Sequence, residues 1–401
     1  MLKLPIYLDN HSTTQVDPRV LDEMLPYFTE YYGNASSKSH EFGWKADAAV
    51  EIAREKVAAL INCDLSELVF TSGTTESVNL AIKGVAESNA SKGRHIITTN
   101  VEHKVVIETC KELERKGFSI TYLNADKFGM VEPSVVSEAI TDDTILVSVI
   151  FASNEVGSVN NVTDIGRVCR EKNVLFHVDG AQAVGKIPVD VARMNIDLMS
   201  FSAHKMYGPK GVGALFVRKK RPWFKLNPQM GGGGQECGLR SGTLNVPGIV
   251  GFGRASELLR LEMAEKTPKI KALKDKLSEG IVSNLDDVYL NGHPEKRLPG
   301  NLNLSFKYID SAGFMAAMKD VALSSGSACS SDTTEPSHVL KAIGLPDNLI
   351  RSSIRFGIGN FNTEEEIDYI IKKVVQTVNS LREESPAYAV SKKKSAEKEI
   401  N

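Results

Sequence analysis

Phe176-His177-Val178-Asp179-Gly180-Ala181-Gln182 and Ser200-Phe201-Ser202-Ala203-His204-Lys205-Met206-Tyr207-Gly208-Pro209-Lys210-Gly211 share one pattern: a short apolar run ends in polar, chemistry-bearing groups. Working outward, the same kind of run recurs through the first two-thirds of the chain. The expected strands are Leu68–Thr71, His95–Thr98, Ile120–Leu123, Ile145–Phe151, Leu175–Val178, Leu198–Phe201 and Ala214–Val217. Several are apolar without alternation, as strands covered on both faces should be. Helical periodicity separates them. Over Phe42–Ile61 it places Ala46, Ala49, Val50, Ala53, Val57 and Leu60 on one stripe, and Thr163–Glu171 is a shorter case with Asp164 near its start. Strands alternating with helices predict an open, mainly parallel α/β sheet.

Beyond that region, Met230–Gly234 carries four consecutive glycines, the mark of a flexible connection or a close backbone approach. A charged helical stretch is expected from about Gly253 to Leu285. Helices and short strands such as Leu302–Phe306 follow, as in an α+β domain. From Ser385 onward the chain is rich in Lys, Glu, Ser and Ala, a composition that predicts a flexible tail.

Composition narrows the function classes. With 42% hydrophobic residues, 24% charged residues and a net charge of −2, no global field selects nucleic acid or a membrane surface as partner. The five cysteines, Cys63, Cys110, Cys169, Cys237 and Cys329, form no C-x-x-C pair and are too sparse for a disulfide framework. The first ten residues lack the apolar core of a secretory signal, and no apolar run reaches the ~18 residues of a membrane span. The expectation is a soluble, cytoplasmic protein.

Lys205 at a strand end, beside hydroxyl and imidazole donors, suits an imine to an aldehyde cofactor whose phosphate is held nearby. By itself it reads as an exposed loop lysine. Asp179 suits a carboxylate paired with a protonated pyridine nitrogen, with Gln182 on another edge of the ring; it equally suits a helix N-cap. Thr71-Ser72-Gly73-Thr74-Thr75-Glu76-Ser77, between a strand and a helix, offers backbone N–H groups to a phosphate or serves as simple capping. His103 suits ring stacking and proton movement, or is a surface loop residue. Cys329 lies among small polar residues in Ser324-Ser325-Gly326-Ser327-Ala328-Cys329-Ser330-Ser331-Asp332, the setting of an accessible, reactive thiol. Arg355, inside the strand-like Ser352-Ser353-Ile354-Arg355-Phe356, suits a bidentate clamp on a substrate carboxylate or a structural salt bridge.

Four of these elements in order resemble the cysteine desulfurases of the NifS/IscS type, within the class V aminotransferase-like, fold-type I pyridoxal-phosphate enzymes. They are Val178-Asp179-Gly180-Ala181-Gln182, Ser202-Ala203-His204-Lys205, Arg240-Ser241-Gly242-Thr243 and Ser325-Gly326-Ser327-Ala328-Cys329. The resemblance runs from Tyr7-Leu8-Asp9-Asn10 to about Pro386. It implies a large α/β domain with a mainly parallel seven-stranded sheet over residues 15–260. A smaller α+β domain would take residues 1–14 and 261–385 and carry the cysteine loop, with residues 386–401 as the tail. It implies pyridoxal 5′-phosphate linked to Lys205, which also shuttles the Cα proton. Asp179 would pair with the ring nitrogen, Gln182 would contact the ring hydroxyl, and His103 would stack on the ring. Thr74, Thr75, Ser202 and His204 would hold the phosphate, with Thr243 reaching it from the second subunit of a homodimer. Asn154 and Arg355 would hold the carboxylate of L-cysteine. Cys329 would take the sulfur as a persulfide, releasing alanine. The sulfur would go to an iron–sulfur scaffold or another acceptor protein, or to tRNA thiolation, and Cys329 is a candidate ligand of a transient [2Fe–2S] cluster.

Two positions depart from the family pattern. Cys237 stands in Gln235-Glu236-Cys237-Gly238 where relatives commonly carry arginine, so a local salt bridge is expected to be missing. The lysine-rich end, Ser391–Asn401, is unlike the end that relatives use to dock a scaffold protein. The competing readings are an aminotransferase or lyase of the same fold, which needs no Cys329, a selenocysteine lyase, and a non-catalytic sulfur-carrier or assembly component.

Overall fold

Each of the seven apolar runs becomes a strand of one sheet. The structure, a computed structural model, describes residues 2–220, 223–325 and 336–399, with side chains to 392. Counting from β1 (Ile6–Tyr7), the sheet strands are β2 (Leu68–Thr71), β3 (His95–Thr99), β4 (Ser119–Leu123), β5 (Thr144–Ile150), β6 (Leu175–Asp179), β7 (Leu198–Ser202) and β8 (Gly213–Val217). Their spatial order is β2-β8-β7-β6-β5-β3-β4. The neighbours among β3 to β7 pair in parallel, and β8 runs antiparallel to both β2 and β7. Strands β2, β3, β5, β7 and β8 are buried throughout, which is why their sequences lack alternation, while edge strand β4 is buried only at Leu123. His177, midway along β6, is a satisfied core histidine. Its Nδ1 meets Ser148 Oγ at 2.8 Å and its Nε2 meets Ser200 Oγ at 2.9 Å, and burial pushes it down to about 3.

A second sheet, β9 (Val288–Leu290), β10 (Asn301–Phe306), β12 (Ser324–Ser325) and β13 (Ser353–Gly357), is antiparallel in the order β12-β13-β10-β9. β1 pairs in parallel with β11 (Val321–Ala322). The apolar faces of these strands, with Ile6 and Leu8 from the chain start, form a core separate from that of the large sheet. The expected charged helix is longer at its start, Val246–Val282, because Asn245 caps it through Gly248 N and Pro247 occupies its first turn. Ile249, Phe252 and Leu259 of this helix belong to the large core, whereas Leu277 and Ile281 belong to the second. The expected division at 260/261 therefore falls inside one continuous helix.

The end of the chain differs from expectation. Where a flexible tail from residue 386 is predicted, a helix spans Pro386–Glu399. Its Ala, Lys and Glu are strong helix formers, and tertiary contacts anchor its start. Tyr388 packs on Tyr308 with ring centroids 5.5 Å apart, and the Ser391 and Tyr308 hydroxyls meet at 2.8 Å.

Cys237 is exposed with φ of 55°, and the buried ion pair of its segment is made by Glu236 instead. Glu236 accepts from Arg54 Nη1 at 3.0 Å, Arg54 Nη2 at 2.8 Å and the Phe70 backbone N–H at 2.7 Å. Arg54→Met would strand that carboxylate in the interior. We expect a loss of about 3 kcal/mol in urea unfolding, and an unchanged midpoint would show that solvent reaches the carboxylate.

Candidate functional site

The C-terminal ends of β2, β5, β6 and β7 open on one cavity of about 680 Å³, the position that open α/β sheets use for ligands. Each strand delivers a predicted residue as it ends. Asp179 closes β6, and Ser202 closes β7 before a single tight turn, Ala203–Lys205. β2 leads through Ser72 and Gly73 into helix Thr74–Asn89, and His103 is the N-cap of helix Lys104–Arg115. Arg355 enters from the second sheet, at the centre of β13. The chain start, His11 to Thr13, forms a further wall.

One end of the cavity is built for an oxyanion. The hydroxyls of Thr74 and Ser202 are buried and have no hydrogen-bond partner. Leaving a buried donor unmade costs on the order of 1–3 kcal/mol; among the described residues neither hydroxyl has an acceptor, one standing at a helix start and the other at the end of β7, which suits a bound oxyanion. Gly73, with φ of +151°, makes the turn that a side chain would strain. A Cβ on Gly213 would stand 2.6 Å from Gly73 Cα, so β8 packs directly beneath the turn. His204 Nδ1 lies 3.1 Å from Thr13 Oγ1; burial and then Lys205 push its imidazole down to about 4, so it is neutral at pH 7. Thr75 is exposed at the cavity rim.

The opposite end carries acid and base. Asp179 is buried, and its Oδ1 accepts from the Ala181 N–H at 3.0 Å. Burial raises its carboxyl above the ordinary range, while His103, the Ala181 hydrogen bond and Lys205 pull it back. A cationic ring nitrogen beside it would complete that compensation. The His103 ring is held by its Nδ1 accepting from Val105 N at 3.2 Å; loss of solvation in the cavity wall lowers its pKa, opposed by Asp179. Lys205 Nζ donates to the carbonyls of His11 at 2.7 Å and Ser12 at 2.8 Å. Gln182 is buried, its Nε2 donating to His11 O at 2.8 Å and its Oε1 3.0 Å from His11 Nδ1.

Arg355 is both of the things its sequence allows. Its Nη2 pairs with Asp9 Oδ1 at 2.7 Å and meets Ser12 Oγ at 2.7 Å and Ser324 Oγ at 2.9 Å, while Nη1 donates to Asn154 O at 2.9 Å. Its Nε is buried without a partner on the cavity wall. Asn154 lines the same wall. Thr243 is exposed and lies outside this cavity. Cys329, and with it the expected cluster ligand, lies outside the described residues.

Sequence reasoning missed Asp9, His11, Ser12, Glu102 and Lys186. Glu102 is buried; its Oε1 accepts from Thr99 Oγ1 at 2.8 Å and from Ile150 N at 2.8 Å, tying the ends of β3 and β5 together just before His103. Burial pushes it up to about 8. The one signal in the sequence was the polar run Asp9-Asn10-His11-Ser12 directly after an apolar one, and its partners lie far away in the chain.

Residues 6–370 match the family model for class-V aminotransferases. The chain is 55% identical over 391 residues to the cysteine desulfurase IscS of Anaeromyxobacter dehalogenans, covering 98% of this chain and 96% of that one. Among solved structures it is similar to a NifS-like protein (TM-score 0.87, 40% identity, 94% of this chain and 99% of that chain). It is also similar to SspA solved in complex with cysteine (TM-score 0.79, 37% identity, 89% of this chain and 100% of that chain). The chain therefore belongs to the class-V aminotransferases, a pyridoxal-phosphate-dependent family. Within it, the chain belongs with the cysteine desulfurases of the NifS/IscS type.

Proposed function

We propose that this protein removes sulfur from L-cysteine, giving L-alanine and a persulfide on Cys329. The observation that carries the reading is the convergence of Lys205, Asp179, Arg355 and the buried Thr74 hydroxyl on one cavity at the strand ends, with the buried Ser202 hydroxyl at the end of β7. Pyridoxal phosphate fits this donor set. Thr74, Ser202, His204 and the start of helix Thr74–Asn89 would hold its phosphate, Asp179 its ring nitrogen and Lys205 its aldehyde carbon. Once bound, the cofactor supplies an electron sink for the charge left at Cα when a proton is removed.

The remaining work falls to the chain. Arg355, steadied by Asp9, receives the substrate carboxylate through its unpartnered Nε, with Asn154 beside it. The Lys205 amine, held at the cavity floor by two carbonyls, moves the Cα proton. His103 is a second proton carrier, with its pKa lowered toward the neutral form. The Cys329 thiolate attacks the substrate sulfur. An S–S bond forms as the Cβ–S bond breaks, and the electron pair left on Cβ takes up a proton to become the methyl of alanine. Cys329–SH and L-cysteine thus become Cys329–S–SH and L-alanine, with no external oxidant or reductant. The persulfide then serves an iron–sulfur scaffold or another acceptor protein, and exposed Thr243 completes the neighbouring subunit's phosphate site in a homodimer.

The test is release of alanine and sulfide from L-cysteine by the purified protein with pyridoxal phosphate and excess dithiol. Equal amounts of both support the reading. Turnover of another amino acid with none of cysteine would move it to an aminotransferase. Arg355→Lys keeps the charge and loses the planar fork. We expect KM for L-cysteine to rise about 10- to 100-fold, the value of one charged hydrogen bond, with a smaller change in kcat. An unchanged KM would place the carboxylate elsewhere.

A further inference from the structure

Lys186 sits one helical turn past Gln182, and its Nζ donates to Gln182 Oε1 and lies 3.4 Å from His11 Nδ1. Among the described residues no carboxylate lies within ion-pair distance of it, and a lysine packed against buried groups without a counter-ion requires a reason. Its other neighbours are a small cavity of about 30 Å³, lined also by Asn10, Gly185, Tyr207 and Lys266, which has room for a water.

The hydrogen-bond arithmetic around Gln182 supplies the reason. An amide has one acceptor oxygen and two N–H donors. Oε1 accepts from Lys186 and lies 3.0 Å from His11 Nδ1. Nε2 of Gln182 spends one N–H on His11 O and keeps one. Turning the amide over would take its oxygen from the Lys186 amine and set it against the His11 carbonyl. Lys186 and that carbonyl together hold the amide in one orientation.

We infer that Lys186 is a positioning residue: it fixes the amide of Gln182 so that one Gln182 N–H is kept for the ring oxygen of the cofactor. This rests on the reading that pyridoxal phosphate occupies the cavity. Burial first, then Lys205 and Arg355, hold the Lys186 amine well below the ordinary lysine range, which limits the charge this lysine brings so close to the site. The charged and titratable groups facing it are His11, Lys205 and Arg355, with Lys266 of the long helix across the small cavity.

The test is a pH titration of the visible absorbance of the holoenzyme, for wild type, Lys186→Met, Gln182→Leu and the double variant. A cofactor ring oxygen that loses its donor holds the neighbouring proton more tightly. Lys186→Met should therefore raise the titration midpoint by about one pH unit, the scale of one lost polar interaction. Gln182→Leu should raise it too, and adding Lys186→Met to that variant should change nothing further. No shift in Lys186→Met, or a shift that adds in full to that of Gln182→Leu, would overturn the inference. Should Lys186→Met fail to fold, Lys186→Leu also removes the donor and gives the same comparison, while Lys186→Gln, which keeps a donor, should shift the midpoint less. A wild-type protein without a visible band would defeat the cofactor reading itself, an outcome distinct from a normal band that Lys186 leaves unmoved.

Discussion

Lys205→Ala is expected to lose the visible band that marks the covalent link to the cofactor and to lower cysteine turnover by about 10³-fold or more. Both effects follow from one amine. Lys205 stands at the end of β7, where the chain turns tightly through Ala203–Lys205, and its Nζ is pinned by the His11 and Ser12 carbonyls at 2.7 and 2.8 Å. Among the described residues Lys210 also lines this cavity, while Lys186 is engaged with Gln182. The phosphate pocket does not involve Lys205, so the variant should still bind the cofactor without the covalent link. Added methylamine should restore part of the rate if proton movement is the larger loss. A band that persists in Lys205→Ala would reassign the linkage, with Lys210 the first residue to examine.

Cys329→Ser should have the complementary signature: sulfide production falls by about 10³-fold or more, while the visible band of the bound cofactor is unchanged. A hydroxyl is a poor nucleophile at neutral pH and cannot become a persulfide, whereas every residue proposed to hold the phosphate and the ring is retained. Chain geometry places the start of this segment at the site. β12 ends at Ser325, and Ser324 bridges Asp9 and Arg355 with contacts of 2.8 and 2.9 Å. Sulfide release that survives in Cys329→Ser would mean that the substrate sulfur leaves without a protein acceptor.

The order of the large sheet's strands shows how far each level of description reaches. Seven short apolar runs announce strands, several of them without alternation as strands buried on both faces should be, and all seven are found within a residue or so of their expected limits. Apolar burial is a local property, so it is written in local sequence. The antiparallel course of β8, the helix that carries Val246–Val282 through both cores, and the helix Pro386–Glu399 depend on partners distant in the chain. Tyr388 reads as tail until Tyr308 is beside it.

By itself, the sequence determined which residue types stand at each strand end: Asp179, Ser202, Lys205 and the Thr74 turn are legible because strand and motif coincide there. Only the tertiary structure decided what these residues touch. Asp9 is bonded to Arg355 across 346 positions and His11 to Gln182 across 171, and no local pattern encodes a partner at that distance. The physical reason is that hydrophobic burial and strand propensity act along neighbouring residues, whereas a hydrogen bond inside a cavity exists only once strands from both sheets have met.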